Sequence, residues 1–227
     1  MADVTLTYKG STIAEMSDTG TKTLKTAGKY CEGDIGVSYV KPSSGGSDDL
    51  AIKVIEGEGA ITELPSGITK IRDYAFQGNT DLLLTYLPST VTSIGRNAFD
   101  HCTNLSLTSL PSGVNSIREN AFSNCTNLAL TSLPNGVQVI WDYAFNNCPS
   151  LALTYLPSSL NSISEYAFAY CTGLTTLTFK GTPRGISSSA FSGCDNLTTI
   201  NVPWAEGAVA NAPWGATNAT IHYNYTE

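Results

Sequence analysis

The sequence predicts a mainly β solenoid: six stacked 23-residue coils behind a small N-terminal β module. Three observations predict it. Phe recurs as Phe76, Phe99, Phe122, Phe145, Phe168 and Phe191, each preceded by Ala. Ile71, Ile94, Ile117, Ile140, Ile163 and Ile186 keep the same spacing, as do Leu82, Leu105, Leu128, Leu151, Leu174 and Leu197. Cys102, Cys125, Cys148, Cys171 and Cys194 follow it too, with Asn79 in the first copy. A fixed period of about 20 to 50 residues marks a stacked architecture, because one such unit cannot bury its apolar face alone. Stacking places each side chain against its equivalent one coil away, so the core becomes continuous.

In chain order, residues 1–41 read as a small β module. Val4, Leu6 and Tyr8 alternate with Thr5, Thr7 and Lys9, a period of two that predicts a strand. Thr21–Thr26 and Gly36–Val40 predict further strands. Residues 42–49, Pro-Ser-Ser-Gly-Gly-Ser-Asp-Asp, predict a flexible linker. Residues 50–63 hold a strand at Ala51–Ile55 and are expected to cap the first coil, since open solenoid ends need covering. The coils occupy 64–201. Each is expected to carry one short parallel strand over Leu84–Leu87 or its equivalent, with the Phe column inside. Residues 202–227, with Trp204, Trp214 and the alternating run Thr220–Tyr225, predict a C-terminal cap.

Composition narrows the function. Net charge is −7, and all of the excess lies beyond residue 41, where 7 basic residues face 14 acidic ones. Such a surface releases few counterions, which argues against nucleic acid. No run of apolar residues is long enough for a spanning helix, so no membrane insertion is expected. The first residues lack the basic and apolar regions of a secretory signal.

Five of the six cysteines occupy one repeat position. Neighbouring coils lie about 4.8 Å apart, as paired strands do, whereas disulfide Cβ atoms average roughly 3.8 Å. A buried ladder of free thiols is the expectation. A metal-binding stack is the sharper alternative, but it lacks Cys-x-x-Cys spacing and His partners. No cofactor is expected. Neither a Gly-x-Ser-x-Gly elbow, a phosphate loop nor a His-Glu-x-x-His pair is present. His101 stands at a variable position and His222 in the C-terminal cap, so no catalytic role is expected.

Binding candidates are aromatics at positions that are polar in other coils. One column reads Tyr74, Asn97, Asn120, Tyr143, Tyr166, Ser189; another reads Tyr86, Ser109, Ser132, Tyr155. Trp141 and Tyr170 occur once each at otherwise polar positions. Aromatic residues concentrate at interface hot spots. Tyr74, Tyr86, Trp141, Tyr143, Tyr155, Tyr166 and Tyr170 are therefore the candidate ligand surface, against the plainer reading of ordinary surface tyrosines.

The pattern Leu-Pro-x-x-Val-x-x-Ile-x-x-x-Ala-Phe-x-x-Cys-x-x-Leu, seen in full at Leu110–Leu128, resembles the BspA-like class of leucine-rich repeats. The resemblance implies a right-handed leucine-rich-repeat solenoid and a non-enzymatic recognition or adhesion role. Copies one to four depart from the family strand, reading Leu-x-Leu-Thr-x-Leu-Pro, which leaves open how pairing continues into copy five. The run Thr5–Glu15 with Lys22–Tyr30 looks like an N-terminal module of phage and prophage tail-associated proteins. Val202–Gly207 with Trp214–Tyr223 looks like the closing segment of phage-encoded proteins of this repeat class. These resemblances imply a tail-associated location, with docking or self-association through residues 1–41 and a protein or glycan on a cell surface as partner. A structural tail spacer and a secreted surface adhesin remain the alternatives.

Overall fold

The computed structural model describes Leu64 and residues 69–226 in full, together with the backbone of five strands before them. Those strands are β1 (Val4–Tyr8), β2 (Ser11–Met16), β3 (Thr21–Thr26), β4 (Ile35–Val40) and β5 (Ala51–Glu56). β1 and β2 pair antiparallel. β4 pairs antiparallel with both β3 and β5. The expected linker at 42–49, Cys31, and residues 57–63 of the expected cap lie outside the described residues. The strand expected to open that cap is the third strand of the β4 sheet.

From residue 69 the chain is a β solenoid. A two-residue parallel strand recurs at the Ile position of every coil: β6 (Lys70–Ile71), β7 (Ser93–Ile94), β8 (Ser116–Ile117), β9 (Val139–Ile140), β11 (Ser162–Ile163) and β13 (Gly185–Ile186). Every pair along this ladder has the 23-residue offset, as in Ser116 opposite Val139 and Ile163 opposite Ile186. The ladder is split: β6 and β7 form one sheet, and β8, β9, β11 and β13 another.

A second ladder holds β10 (Tyr155–Leu156), β12 (Thr176–Phe179), β14 (Thr199–Asn201) and β15 (Thr220–His222). The strand expected over Leu84–Leu87 in every coil is thus absent from the first three, and side-chain direction explains why. Leu84 and Leu87 are buried while Thr85 and Tyr86 between them both face outward. Two successive outward residues break the period of two that a strand requires, and Pro88 then removes a donor. The same pattern holds at Leu107–Pro111. Single bonds join these coils instead, as from the Ser106 N–H to the Leu84 carbonyl at 3.2 Å. In copy five Thr178 alone separates buried Leu177 from Phe179, alternation returns and the strand forms; copy four keeps the earlier pattern, Thr154 and Tyr155 before Leu156 and Pro157, and has only a two-residue strand, paired to that alternating segment. Register crosses the change of sequence type without a slip, since Tyr155 lies opposite Thr178 and Leu156 opposite Phe179.

The core is a set of columns. All six Phe rings are buried. Each stacks on the next at 5.2–5.5 Å between centroids, within 10° of parallel. Trp214 lies in the closing coil: it is fully buried, the Phe191 N–H donates to its carbonyl at 2.9 Å, and its ring packs against Phe179 and Trp204. Trp204 packs edge-on against Phe179 beside it. The closing coil is shorter, since Thr199 pairs with Thr220.

Between the Ile and Leu columns the chain runs through tight turns whose amides alternate in direction. The N–H groups of Tyr74, Phe76 and Gly78 donate to the Arg96, Ala98 and Asp100 carbonyls of the next coil, at 2.7–2.8 Å. Those of Ala75, Gln77 and Asn79 close bonds within their own coil. The cysteines complete the scheme. Cys125 Sγ donates to the Phe99 carbonyl at 2.9 Å, and Cys102, Cys148, Cys171 and Cys194 make the equivalent bond to the coil before. A thiol here fills core volume and also satisfies a buried acceptor that an aliphatic side chain would leave with one fewer partner.

Candidate recognition surface

The five described cysteines are free and buried. Burial pushes Cys102 and Cys194 up to about 12, and Cys125, Cys148 and Cys171 well above their ordinary value. Thiolate is the reactive and metal-binding form, so the ladder is chemically quiet. Among the described residues no group of His, Cys, Asp and Glu could hold a metal ion.

The seven candidate aromatics divide between two arcs of the coil. Tyr86 and Tyr155 lie on the arc of the second ladder, where Lys180 Nζ sits 5.6 Å from the Tyr155 ring centre. Trp141, Tyr74, Tyr143, Tyr166 and Tyr170 lie on the turn arc that follows the Ile ladder. Tyr143 and Tyr166 stack at 5.2 Å. Tyr74, Trp141, Tyr143 and Tyr170 remain 40–56% exposed, and Tyr166 is half-buried.

The turn arc has a backbone requirement that explains its composition. Tyr74, Asn97, Asn120, Tyr143 and Tyr166 all have φ between 51° and 62°. So does the column four residues on, Gly78, His101, Asn124, Asn147, Tyr170 and Gly193, at 54–72°. Gly adopts this left-handed region without penalty, and Asn tolerates it. The mixture of Asn, Gly and His in these columns therefore answers a conformational demand rather than a ligand. Tyr is the exception. A bulky residue there is an outlier, at a cost of about 1–2 kcal/mol. Four of the five aromatics on this arc carry that strain.

Polar groups around them are fixed across coils. Arg96 pairs with Glu119 through two hydrogen bonds of 2.9 and 3.1 Å. The hydrogen bond and charge of Glu119, and then Tyr74, hold the Arg96 guanidinium above its ordinary value. Buried Asp100 accepts from Gln77 Nε2, Asn97 Nδ2 and Asn124 Nδ2, and its Oδ1 lies 2.8 Å from His101 Nδ1. His101 thereby orders a buried carboxylate at the surface rather than standing as an isolated variable residue.

A cavity of about 520 Å³ opens where the Ile ladder divides, lined by Lys70, Arg72, Asp73, Ser93, Gly95 and Arg118. In the sequence it is almost silent. Its one visible signal is Gly95, standing between Arg72 and Arg118 in a single column. A Cβ on Gly95 would meet the Asp73 amide nitrogen at 2.4 Å, so only glycine fits.

The model of the BspA type leucine-rich repeat region matches this chain in six copies over residues 60–174 and 140–208. The crystal structure of a leucine-rich repeat protein from T. pallidum is similar at 34% identity and a TM-score of 0.52, covering 63% of this chain and 68% of that one. A leucine-rich repeat protein from Bacteroides ovatus is similar in fold at 23% identity and a TM-score of 0.54, covering 73% of this chain and 45% of that one. No curated protein matches. Solenoids of this kind are scaffolds whose extended surfaces bind other molecules. The repeat match spans most of the stacked Phe, Ile and Cys columns, and the chain belongs to the BspA-type leucine-rich repeat family.

Proposed function

We propose that this chain is a non-enzymatic recognition module that binds a bacterial cell surface through the turn arc of its solenoid, carried as a tail-associated component of a phage or prophage. One observation carries the choice of arc. Tyr74, Tyr143, Tyr166 and Tyr170 occupy left-handed backbone positions where other coils use Asn, His or Gly. Strain of this kind persists where the surrounding structure enforces it, and it concentrates at binding sites. Exposed rings held on a rigid, strained backbone lose little entropy on binding, a preorganisation that favours affinity. The resemblance of the Thr5–Tyr30 region and of the closing Trp segment to tail-associated proteins supports the location, with residues 1–41 supplying docking or self-association.

The test compares the full chain with a variant carrying Tyr74→Asn, Trp141→Ser, Tyr143→Asn, Tyr166→Asn and Tyr170→Asn in capture of bacterial envelopes from a panel of Gram-positive strains. Capture by the native chain and loss by the variant, at similar melting temperatures, is the expected result. Equal capture by both moves the site off this arc. No capture by either moves the structural spacer ahead.

A further inference from the structure

We propose that Asn135 and Gly136 form a self-modifying site: the Gly136 amide nitrogen displaces the Asn135 side-chain nitrogen as ammonia, and water then leaves an aspartyl or isoaspartyl link. This chemistry needs nothing from the recognition reading and would survive its failure.

The site lies in one of four equivalent turns. The N–H groups of Val91, Val114, Val137 and Leu160 donate to the carbonyls of Pro88, Pro111, Pro134 and Pro157, at 3.0–3.1 Å. The two residues spanned are Ser89-Thr90, Ser112-Gly113, Asn135-Gly136 and Ser158-Ser159. Asn-Gly occurs nowhere else in the chain. Such a pair ordinarily answers a demand for left-handed backbone, as in the tightest hairpin turns. That demand is absent here. Neither Asn135 nor Gly136 has a positive φ, and Ser89-Thr90 and Ser158-Ser159 build the same turn without either residue. A Cβ on Gly136 would meet nothing closer than the Ser112 carbonyl at 3.8 Å, so close packing does not require the glycine. Conformation thus leaves the pair unexplained, in contrast to the Asn and Gly columns of the turn arc.

Both reacting groups are free. Asn135 and Gly136 are exposed. Among the described residues neither the Asn135 side-chain amide nor the Gly136 N–H has a hydrogen-bond partner. Other asparagines lack that freedom. The N–H groups that follow Asn97, Asn124 and Asn146 are those of Ala98, Cys125 and Asn147, and each donates to a carbonyl, of Gly95, Phe122 and Ala169. A nitrogen whose hydrogen is held in a buried bond is a poor nucleophile, because the bond must be given up first. Within the Pro134–Val137 turn, one bond opposes the rotation about Asn135 that brings the Gly136 nitrogen to Cγ. Glycine also lacks the side chain that crowds this approach in the other pairs.

The step balances without an oxidant or a metal. The Gly136 nitrogen forms a bond to Asn135 Cγ, the Cγ–Nδ2 bond breaks, and Nδ2 leaves as ammonia with the proton given up by Gly136. Water then opens the five-membered imide. Attack at Cγ restores the main chain and leaves a carboxylate on the side chain. Attack at the main-chain carbonyl routes the backbone through Cγ and lengthens it by one carbon. The flanking residues resist that lengthening. Leu133 and Val137 are buried, and Ser159 Oγ donates to the Val137 carbonyl from the next coil at 2.6 Å. Just beyond, the N–H groups of Gln138 and Trp141 donate to Asn115 and Ile117 of the coil before, at 2.9 Å. The isoaspartyl form therefore strains the coil that carries Trp141 and Tyr143, while the aspartyl form only adds a charge to a chain already at −7.

The experiment holds the folded full chain at pH 8 and follows each asparagine by peptide mass mapping, with enzymatic methylation of isoaspartyl groups as the second readout. The amide-to-acid mass shift should appear at Asn135 well before Asn97, Asn124 or Asn146, with isoaspartyl the larger product and a rate that rises with pH. Gly136→Ala, which the turn accommodates, should slow conversion severalfold at an unchanged melting temperature. Asn135→Ser, matching the neighbouring coils, should abolish the shift at this position. Aged native protein should melt lower than fresh protein, and aged Asn135→Ser should not. Conversion at Asn135 only after unfolding in urea, equal conversion at Asn97, Asn124 and Asn146, or an undiminished rate in Gly136→Ala would each overturn the proposal.

Discussion

Phe122→Ala tests the stacked column where it is most constrained. Phe122 is fully buried between Phe99, 5.2 Å away, and Phe145, 5.5 Å away. Truncating a core Phe costs about 3–5 kcal/mol in lost transfer energy and cavity. Each aromatic pair adds about 0.5–1.5 kcal/mol beyond area, and Phe122 loses two such pairs. Its cost should therefore fall at the upper end, about 4–5 kcal/mol. Phe76 stacks on one ring only among the described residues, so Phe76→Ala should cost less by roughly one pair, about 1 kcal/mol. Urea unfolding followed by circular dichroism measures both losses. The double variant Phe99→Ala/Phe122→Ala then reads the coupling, which neighbours in contact show and distant sites do not. A loss below about 1 kcal/mol for Phe122→Ala, or strict additivity in the double variant, would refute the reasoning.

The thiol ladder should be silent to a thiol reagent in native protein at pH 8 and fully reactive after unfolding; rapid native labelling at Cys125, Cys148 or Cys171 would contradict its burial. Because folding raises these pKa values, the unfolded chain deprotonates first. Stability from each thiol is therefore intact below the ordinary thiol range and falls as pH climbs from about 9 toward 12, by up to roughly 1.4 kcal/mol per pH unit per group. Cys171→Ala should make that alkaline decline of the melting temperature shallower. Tyr170→Asn should leave the melting midpoint unchanged or raise it, since relief of left-handed strain offsets the loss of the ring's contact with Gly193; a loss above about 2 kcal/mol would mark the ring as structural. A chain beginning at residue 57 should keep the unfolding transition of the coils and lose any self-association seen in the full chain by light scattering; an unchanged oligomeric state would remove the N-terminal module from that role.

The Phe, Ile, Leu and Cys columns were legible because a solenoid puts equal positions in equal environments, so repetition in sequence reports burial directly. The strands were less so. Leu84 and Leu87 are both buried, yet their spacing of three cannot be a simple strand, and the run of Leu and Thr conceals the two outward residues. The turn arc was misleading in a different way. Asn97, Asn124 and Gly78 suggested free surface variation, whereas backbone torsion restricts what those positions accept. The cavity beside the Ile ladder was out of reach, because Arg118 lies two coils beyond Arg72 and only the stacking brings both into its lining. The Asp100 network was hidden for the same reason, its donors coming from three coils.

The uniform register has a consequence for how such a chain can change length. Tyr155 opposite Thr178 and Thr176 opposite Thr199 share the offset that joins Ser116 to Val139, although the paired segments follow different sequence types. A whole 23-residue segment duplicated beside its parent between Phe76 and Phe191 therefore keeps the register of both neighbours. Trp214 and the shortened final coil are untouched by the change. Tandem duplication is thus structurally silent at both ends while lengthening the display by one coil. A duplicated copy brings its own left-handed sites, free to trade Asn for Tyr. Reach and aromatic content can vary among relatives independently of the terminal segments, which meet whatever the molecule is mounted on.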